Sequence, residues 1–361
     1  MAWESDKIEH KTFYFNEAVP MSVTIKDVAR VANVSISTVS NVLNGKRKSF
    51  NAETYERVMQ AVQQLGYHPN RAARSLVTKA TRVLGFCFGA NTKTLYKSSY
   101  LVELLDGVMN VAEEAGYNIM LYTRLDYNAD DRYTDSFLDQ SIDGLVIVAP
   151  APNNPLPAKL AAMGLPIILI GMDDPDSRLA YIDVDNVQGA KLALQHLWDM
   201  GHRRIAHIGG QEIQRSAQQR ANTYRQFMAD RNEPIPAGWE QWTHFNYETG
   251  KLAAQKILAS PEIPTAIFAA NDHIALGVID AANERGLCVP EDLSVVGFDD
   301  IREAEMANPA ITTIRQPIRD ISVKATLWLL ENMDPFHLPL LQELVPPELI
   351  ERQSVASPRS R

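Results

Sequence analysis

Two short segments near the start of the chain carry apolar residues at helical spacing and are joined by a tight turn. The apolar positions are Ile25, Val28, Ala29 and Ala32 in the first segment and Val39, Val42 and Leu43 in the second. Thr24 and Ser35 directly precede the two segments, and their hydroxyls suit the capping position of a helix. Asn33 falls in the turn, where asparagine tolerates left-handed backbone better than most residues. The pattern predicts a helix-turn-helix.

A third segment with helical spacing, "AETYERVMQAVQQLG", begins at residue 52. Its apolar positions are expected to close the core of a small helical head, and they are Tyr55, Val58, Met59, Val62 and Leu65. The first 20 residues show no such pattern, so we expect a disordered extension there and exclude it from the fold. The pattern therefore predicts a three-helix head over residues 21 to 68. Whether this head binds DNA depends on the residues that its exposed face presents.

From residue 83 onwards, short β-branched runs alternate with helical stretches. The runs lie at 83–88, 118–122, 144–149, 166–170, 204–208, 265–269 and 293–298, and the helical stretches at 102–115, 187–200, 216–230, 249–259 and 272–285. This alternation predicts an α/β fold with parallel sheets covered by helices, and the number of strands predicts two lobes. Because ligands bind at the carboxyl ends of parallel strands, we expect a cleft between the lobes.

Length and composition fit a multidomain globular protein. The chain has 361 residues, 45% of them hydrophobic, which is enough for two or three domains. Cys87 and Cys288 both lie in apolar runs, so we expect two buried thiols rather than a disulfide framework or a metal site. No apolar run is long enough to span a bilayer, and the polar opening lacks the apolar core of a signal peptide. A cytoplasmic location is therefore expected.

The net charge of −9 is unevenly distributed. Residues 21 to 82 carry ten Lys and Arg against three acidic residues, whereas residues 83 to 361 carry 23 basic and 37 acidic residues. A basic head on an acidic body is typical of a module that binds a polyanion. The charge alone does not distinguish such a module from a solvated basic face.

The exposed face of the second helix indicates which polyanion the basic head binds. In "STVSNVLNG", Ser37, Ser40 and Asn41 face away from Val39 and Leu43. The alternative is a plain three-helix bundle with an idle outer face. A basic head that exposes small polar residues on the second helix of a helix-turn-helix instead predicts that this helix lies in the major groove of DNA.

The longer sequence pattern resembles a known family. "VTIKDVARVANVSISTVSNVLNG" and "LGYHPNRAARSL" resemble the head and hinge of the lactose-repressor and galactose-repressor (LacI/GalR) transcription regulators. The resemblance continues through "IDGLVIVAP", "HLWDMGHRRIAHIGG", "TAIFAANDHIALGVIDAANERGLCVPEDLSVVGFDD" and "TTIRQP", so it covers nearly the whole chain after Met21. One departure is Asn33, where the family usually has glycine.

The resemblance implies a domain plan. It predicts a helix-turn-helix domain over 21–68, a hinge over 69–82 and a periplasmic-binding-protein-like body over 83–361. One lobe is expected at about 83–181 and 316–338, and the other at about 182–315 and 341–356. The chain would then cross between lobes near residues 182, 315 and 340, and the bodies would form a homodimer on a palindromic operator.

DNA contacts follow from the resemblance and from the exposed helix face together. Ile36, Ser37 and Asn41 are expected to contact base edges. Phosphate contacts are expected from Thr24, Arg30, Ser35, Thr38, Lys46, Arg47, Lys48 and Asn70. Asn70 is also expected to cap a short hinge helix, and the resemblance places Leu76 at its tip as a wedge in the minor groove.

A small-molecule effector is expected between the lobes. By resemblance its contacts are Arg220, Phe245, Asn271 and Asp299. An arginine, an aromatic ring, an amide and a carboxylate suit a neutral polyhydroxy compound, so a sugar is favoured. Val148 and Gly171 stand where the lactose repressor has an asparagine and an aspartate, which leaves a nucleobase, a phosphorylated metabolite or a small acid as alternatives.

Other functional classes are less well supported. Asp299 and Asp300 are adjacent, so on a strand they would point to opposite sides rather than act as an acid and base pair. The chain has no G-x-S-x-G, P-loop or H-E-x-x-H motif, and we predict no enzyme, no cofactor and no metal. His202 and His207 are interpreted as structural. A solute-binding receptor shares the two-lobed body but would not carry the basic head.

Overall fold

The computed structural model describes residues 23–68, 80–88, 98–122, 131–152, 154–173, 178–334 and 339–359. The chain divides into two compact units, which meet in the sequence between Ala80 and Thr81. The predicted extension over 1–20 and most of the predicted hinge, including Asn70 and Leu76, lie outside the described residues.

The first unit contains the predicted helices α1 (Ile25–Ala32), α2 (Ile36–Leu43) and α3 (Ala52–Leu65), with a 3₁₀ turn at Arg47–Ser49. Side chains fix where the helices begin. The Asp27 carboxylate accepts hydrogen bonds from the Thr24 backbone N–H at 3.1 Å and hydroxyl at 2.7 Å. The Ser35 hydroxyl accepts from the Thr38 N–H at 3.1 Å, and so caps α2 as predicted. Asn33 has a φ of 49°, which confirms the left-handed turn.

The core of the head is narrower than the sequence predicts. Its buried members are Val28, Ala29, Ala32, Val39, Val42, Val58, Ala61 and Tyr67. Tyr55 and Met59 were expected in this core, and that expectation is wrong, because they are 45% and 38% exposed. The helices α1 and α2 have eight residues each and cover only the stripe of α3 centred on Val58. Tyr55 instead stacks on Phe50, with ring centroids 6.1 Å apart.

The second unit begins with a six-stranded parallel sheet. Its strands are β1 (Val83–Phe88), β2 (Asn118–Tyr122), β3 (Gly144–Val148), β4 (Ile167–Ile170), β5 (Ala180–Val184) and β11 (Gln342–Val345), in the order β11-β5-β4-β3-β1-β2. The helices of this lobe are α4 (Ser99–Glu114), α5 (Asp131–Leu138), α6 (Leu156–Ala162) and α12 (Ile318–Glu331). Strands β3 to β5 are buried along their whole length, because a central parallel strand is covered on both faces.

A second parallel sheet forms the other lobe. Its strands are β6 (Ile205–Gly209), β7 (Glu240–Trp242), β8 (Ala266–Ala269) and β9 (Ser294–Val296), in the order β7-β6-β8-β9. The helices of this lobe are α7 (Asn186–Asp199), α8 (Arg215–Ala229), α9 (Tyr247–Leu258), α10 (Asp272–Glu284) and α11 (Arg302–Met306). Beyond β9, β10 (Thr313–Arg315) pairs antiparallel with β12 (Glu348–Ile350).

The sheet topology bears on two of the three predicted crossings between lobes. β5 and β11 both belong to the first sheet, so the chain leaves that sheet after Val184, close to the predicted 182, and again after Val345 rather than near 340. Residues 342–345 were assigned to the second lobe and belong to the first. This edge strand, "QELV", carries two polar residues and therefore lacks the apolar run that marks a buried strand.

The two thiols differ in environment. Cys87 is fully buried in β1, as predicted, but Cys288 is exposed, so the expectation of two buried thiols is wrong for the second. Cys288 lies in the loop after α10. This loop is at the surface, so the apolar sequence around Cys288 does not bury its side chain. Among the described residues, no helix has the length and apolar character of a membrane span.

Candidate functional site

The outer face of α2 presents the residues predicted to read base edges. Ile36 is 45% exposed, Ser37 is also exposed, and Asn41 is half-buried, while Val39 and Val42 are buried on the opposite side. The first turn of this face is ordered by hydroxyls, because the Ser35 oxygen lies 2.7 Å from the Ser37 hydroxyl and 2.8 Å from that of Thr38. These contacts, which lie within the head itself, order the start of the exposed face.

The predicted phosphate contacts fall into two groups. Thr24 and Ser35 already serve the helix termini, and the Arg30 guanidinium lies 2.8 Å from the Asp27 carboxylate. Lys46, Arg47 and Lys48 form an exposed basic turn directly after α2. The second group, which we call the basic turn, therefore presents its positive charge to solvent beside the exposed helix.

Arg220 lies buried in the second unit, on α8, where the lobes meet. Its Nε and Nη2 donate to Asn186 Oδ1 at 2.9 and 2.7 Å, and its Nη1 donates to the Ala270 carbonyl. The guanidinium carbon stands 3.5 Å from the centroid of the Phe298 ring. Three neighbours thus fix the plane of the guanidinium, which is the condition for directional recognition of a ligand.

Asp299 is buried close to Arg220. Its Oδ1 accepts a hydrogen bond from Gln316 Nε2, a residue that sequence reasoning did not find. Its φ of 122° is rare for a residue with a side chain and indicates a constrained backbone at the end of the strand region. Burial raises the pKa of Asp299 to about 7, against the lowering effect of Arg220.

Asn271 and Phe245 occupy a second part of the cleft. Asn271 Oδ1 accepts from the Ile274 N–H at 3.0 Å, which caps α10, and its Nδ2 donates to the Phe245 carbonyl at 3.2 Å. Phe245 has a φ of 56°, and its ring covers Gly210 so closely that a Cβ there would lie 2.0 Å from a ring carbon. Both polar atoms of Asn271 therefore hold the fold in place, and its contact with a ligand stays a prediction.

Sequence reasoning missed Asp183 and Asn186 in this cleft. Asp183 is buried at the end of β5, and its Oδ2 accepts from Asn186 Nδ2 at 3.2 Å. Burial raises the pKa of Asp183 to about 7, while the Val184 N–H and Arg220 act in the opposite direction. The signal in the sequence is the run "AYIDVDN", in which a carboxylate interrupts an otherwise apolar strand.

Tyr100 joins the same cluster from the first lobe. Burial is the main cause that raises the pKa of its hydroxyl, and the carboxyls of Asp183 and Asp299 raise it further. The tyrosine thus lies within electrostatic reach of both carboxyls. The cluster of Tyr100, Asp183, Arg220 and Asp299 draws its members from both lobes, and we call it the cleft site.

Polar contacts also connect the lobes outside the cleft site. Asp173, just after β4, accepts from Arg215 Nε at 3.1 Å and from Gln219 Nε2 at 2.6 Å, both on α8. Ser99 at the start of α4 donates to Glu303 of α11 at 2.8 Å. Helix α8 therefore carries both these contacts with the first lobe and Arg220 of the cleft site.

Comparison with known proteins places both units. Residues 24–70 match the model of "Bacterial regulatory proteins, lacI family", and residues 194–355 match a "Periplasmic binding protein-like domain". The transcriptional repressor PurR of Vibrio cholerae serotype O1 is 35% identical over 336 residues, covering 92% of this chain and 98% of that protein. The chain belongs to the LacI family of bacterial regulatory proteins.

Other relatives agree with this assignment. Catabolite control protein A of Priestia megaterium is 32% identical and covers 87% of this chain and 93% of its own length. A solved structure of the lac repressor dimer, bound to operator and an anti-inducer, is 26% identical, with a TM-score of 0.81 and coverage of 93% of this chain and 99% of that one. The CelR–cellobiose complex is 28% identical, with a TM-score of 0.69 and coverage of 92% and 99%.

The predicted fold class and general function are thereby confirmed. This LacI-family chain is a DNA-binding transcriptional regulator with a helix-turn-helix head and a two-lobed effector-binding body. The named relatives are regulators rather than enzymes.

Three further residues of the regulator have structural partners. The two carboxylate oxygens of Asp300 accept from Arg315 and Arg352 at 2.7 Å each. His202 bridges Thr265 and the Ala356 carbonyl, and His207 Nδ1 lies 2.9 Å from the Phe268 carbonyl. These contacts agree with the structural interpretation of both histidines.

Proposed function

We propose that this regulator is a cytoplasmic homodimeric repressor whose affinity for a palindromic operator is controlled by a neutral polyhydroxy effector, a sugar, bound in the cleft site. The observation that carries the proposal is the buried Arg220, whose plane is fixed by Asn186 and Ala270 beside two carboxyls. Such a set of acceptors and one rigid donor suits adjacent hydroxyls, each of which both donates and accepts.

The charge of the cleft site favours a neutral effector over an anionic one. Asp183 and Asp299 place two carboxyls around one buried guanidinium, and three N–H groups of that guanidinium already bind Asn186 and Ala270. A phosphorylated metabolite or a small acid would bring further negative charge beside the carboxyls, which is costly where water is excluded. A nucleobase is compatible with the Phe245 ring but presents fewer hydrogen-bond donors than a sugar.

For DNA, we assign the exposed face of α2 to the major groove. Ile36, Ser37 and Asn41 read base edges there, while Thr24, Arg30, Ser35 and Thr38 position the head on phosphates together with the basic turn. One head makes few contacts, so two heads related by a two-fold axis are needed for strong operator preference. The solved lac repressor dimer on operator supports this arrangement. Asn70 and Leu76 keep their predicted hinge roles from the family resemblance alone.

A thermal-shift screen of the full chain tests the effector class. The compounds are D-glucose, D-galactose, D-ribose, maltose, cellobiose, adenine, guanine and glucose 6-phosphate. A neutral sugar is expected to raise the unfolding midpoint, because a ligand that binds only the folded state stabilises it. Operator DNA selected from a randomised pool then reports, by fluorescence anisotropy, whether the same sugar changes DNA affinity. A shift with glucose 6-phosphate or a nucleobase alone contradicts the sugar assignment.

A further inference from the structure

Asp183 differs from the buried carboxyl of Asp272 in its hydrogen-bond partners. Asp272 accepts from the Thr313 hydroxyl at 2.5 Å and the Ile301 N–H at 3.0 Å, so distant segments use both of its oxygens. Within the part of the chain that the structure describes, Asp183 accepts only from Val184 and Asn186, the residues of its own turn. A carboxylate has room for about four hydrogen bonds. Asp183 thus has acceptor capacity that the fold does not use.

Asp183 lies near the carboxyl end of its strand, at the edge of the sheet where ligands bind in parallel folds. Ile170 of β4 is paired with Ile182 of β5, so the next residues of the two strands are Gly171 and Asp183. Gly171 has no side chain, so Asp183 supplies the polar group at this level of the two neighbouring strands.

We propose that Asp183 is the second carboxylate of the effector site and accepts hydrogen bonds from hydroxyl groups of a neutral sugar. The inference rests on the proposed function of the cleft site and adds a specificity-determining residue to it. Asn186 connects this carboxylate to Arg220, since its amide nitrogen donates to Asp183 and its amide oxygen accepts from Arg220. A hydroxyl between Asp183 and Arg220 would donate to the first and accept from the second.

The test compares Asp183→Asn with a matched control, Asp185→Asn, in the full-length protein. Asp185 lies two residues away and caps α7 by accepting from the Gln188 N–H at 2.8 Å, a role that asparagine also fills. Binding of each of the five neutral sugars of the screen is measured by calorimetry. For a sugar that binds the wild type, Asp183→Asn is expected to weaken the affinity by about 10- to 100-fold, the usual value of a hydrogen bond to a charged group.

A second measurement separates contact from scaffold. Without sugar, Asp183→Asn is expected to keep or raise the thermal midpoint, because the variant no longer buries an ionisable carboxyl; a purely structural role predicts a lower midpoint and overturns the inference. Equal sugar affinity in Asp183→Asn and Asp185→Asn also overturns it, while leaving the proposed function intact. If none of the five sugars binds the wild type, the sugar assignment itself fails.

Discussion

The exposed face of α2 and the cleft site solve recognition in opposite ways. The residues of the head that we propose to contact DNA lie within one continuous stretch, between Thr24 and Lys48, and are largely open to water. The cleft site gathers Tyr100, Asp183, Arg220 and Asp299 from distant parts of the chain and buries most of their polar atoms. Exposed contacts are screened by salt, whereas buried ones are not, so the two sites respond to different perturbations.

The largest effect is expected from Arg220→Met. The change leaves Asn186 Oδ1 and the Ala270 carbonyl without their buried donor, which lowers the free energy of unfolding by about 2 to 4 kcal/mol. Sugar binding should fall by at least about 100-fold, because the variant loses a charged donor and the fixed geometry together. Urea unfolding and calorimetry measure the two losses.

Arg225→Met is the control for that change, because Arg225 lies on the same helix and binds Glu240 at a more exposed site. It should leave sugar affinity unaltered. Wild-type sugar affinity in the folded Arg220→Met protein would contradict the assignment of the cleft site.

The pH dependence of stability is expected to be the next largest effect. Burial lowers the pKa of His202 and His207 from 6.5 to about 4, so the unfolded chain binds more protons in that interval and stability rises with pH. Burial raises the pKa of Asp183 and Asp299 from 3.8 to about 7, so the folded protein holds more protons there and stability falls with pH. The two pairs oppose each other in the wild type.

Asp183→Asn removes one of the opposing groups. Between pH 4 and 7 the free energy of unfolding of this variant should therefore rise more steeply with pH than that of the wild type, by up to about 1.4 kcal/mol per pH unit. Urea titrations at several pH values measure the slope. His207→Phe should change the slope in the opposite direction, and parallel slopes in all three proteins would show that these groups do not titrate as inferred.

At the DNA face, Ser37→Arg is expected to change specificity. An arginine at an exposed position of the recognition helix favours guanine, by about 1 to 3 kcal/mol for a good bidentate contact. Selection from a randomised pool should therefore give a new consensus at one position of each half-site. Lys46→Ala is the contrasting variant, since it should weaken all sequences and reduce the salt slope by about one unit. An unaltered consensus in Ser37→Arg would contradict the base-reading role.

The smallest effect is expected from Asp173→Ala. Its carboxylate links the lobes through Arg215, whose side chain is partly exposed, so the link contributes about 1 kcal/mol or less. Loss of this link should weaken sugar affinity only a few-fold, by easing separation of the lobes. Glu240→Gln, which breaks an ion pair within one lobe, should have no such effect.

Sequence reasoning succeeded where structure is local. Amphipathic spacing and caps gave the three helices of the head, because each is defined by residues within a few positions of one another. It failed for Tyr55 and Met59, since the width of the covered stripe depends on the neighbouring helices. Strand β5 was missed because Asp183 breaks its apolar run, and this same break marks the cleft site.

Only part of the cleft site could be predicted from the sequence, for a related reason. Arg220 and Asp299 were found through family resemblance, whereas Asn186 and Gln316 act by holding those two side chains and are ordinary polar residues in the sequence. Their roles depend on contacts between segments 34 and 17 residues apart. Such partners are recognisable only once the chain is folded.

Among the described residues, the buried core of the head is made of residues of the head itself, from Val28 on α1 to Tyr67 just after α3. We therefore expect the head to be transferable as a unit. If the residues upstream of Ala80 are joined to the sensory body of another regulator, the hybrid protein should keep the operator preference of this head. The reverse exchange would redirect the response of this body to new genes. A regulator built in this way can acquire new targets through recombination, without any change in the sensing chemistry.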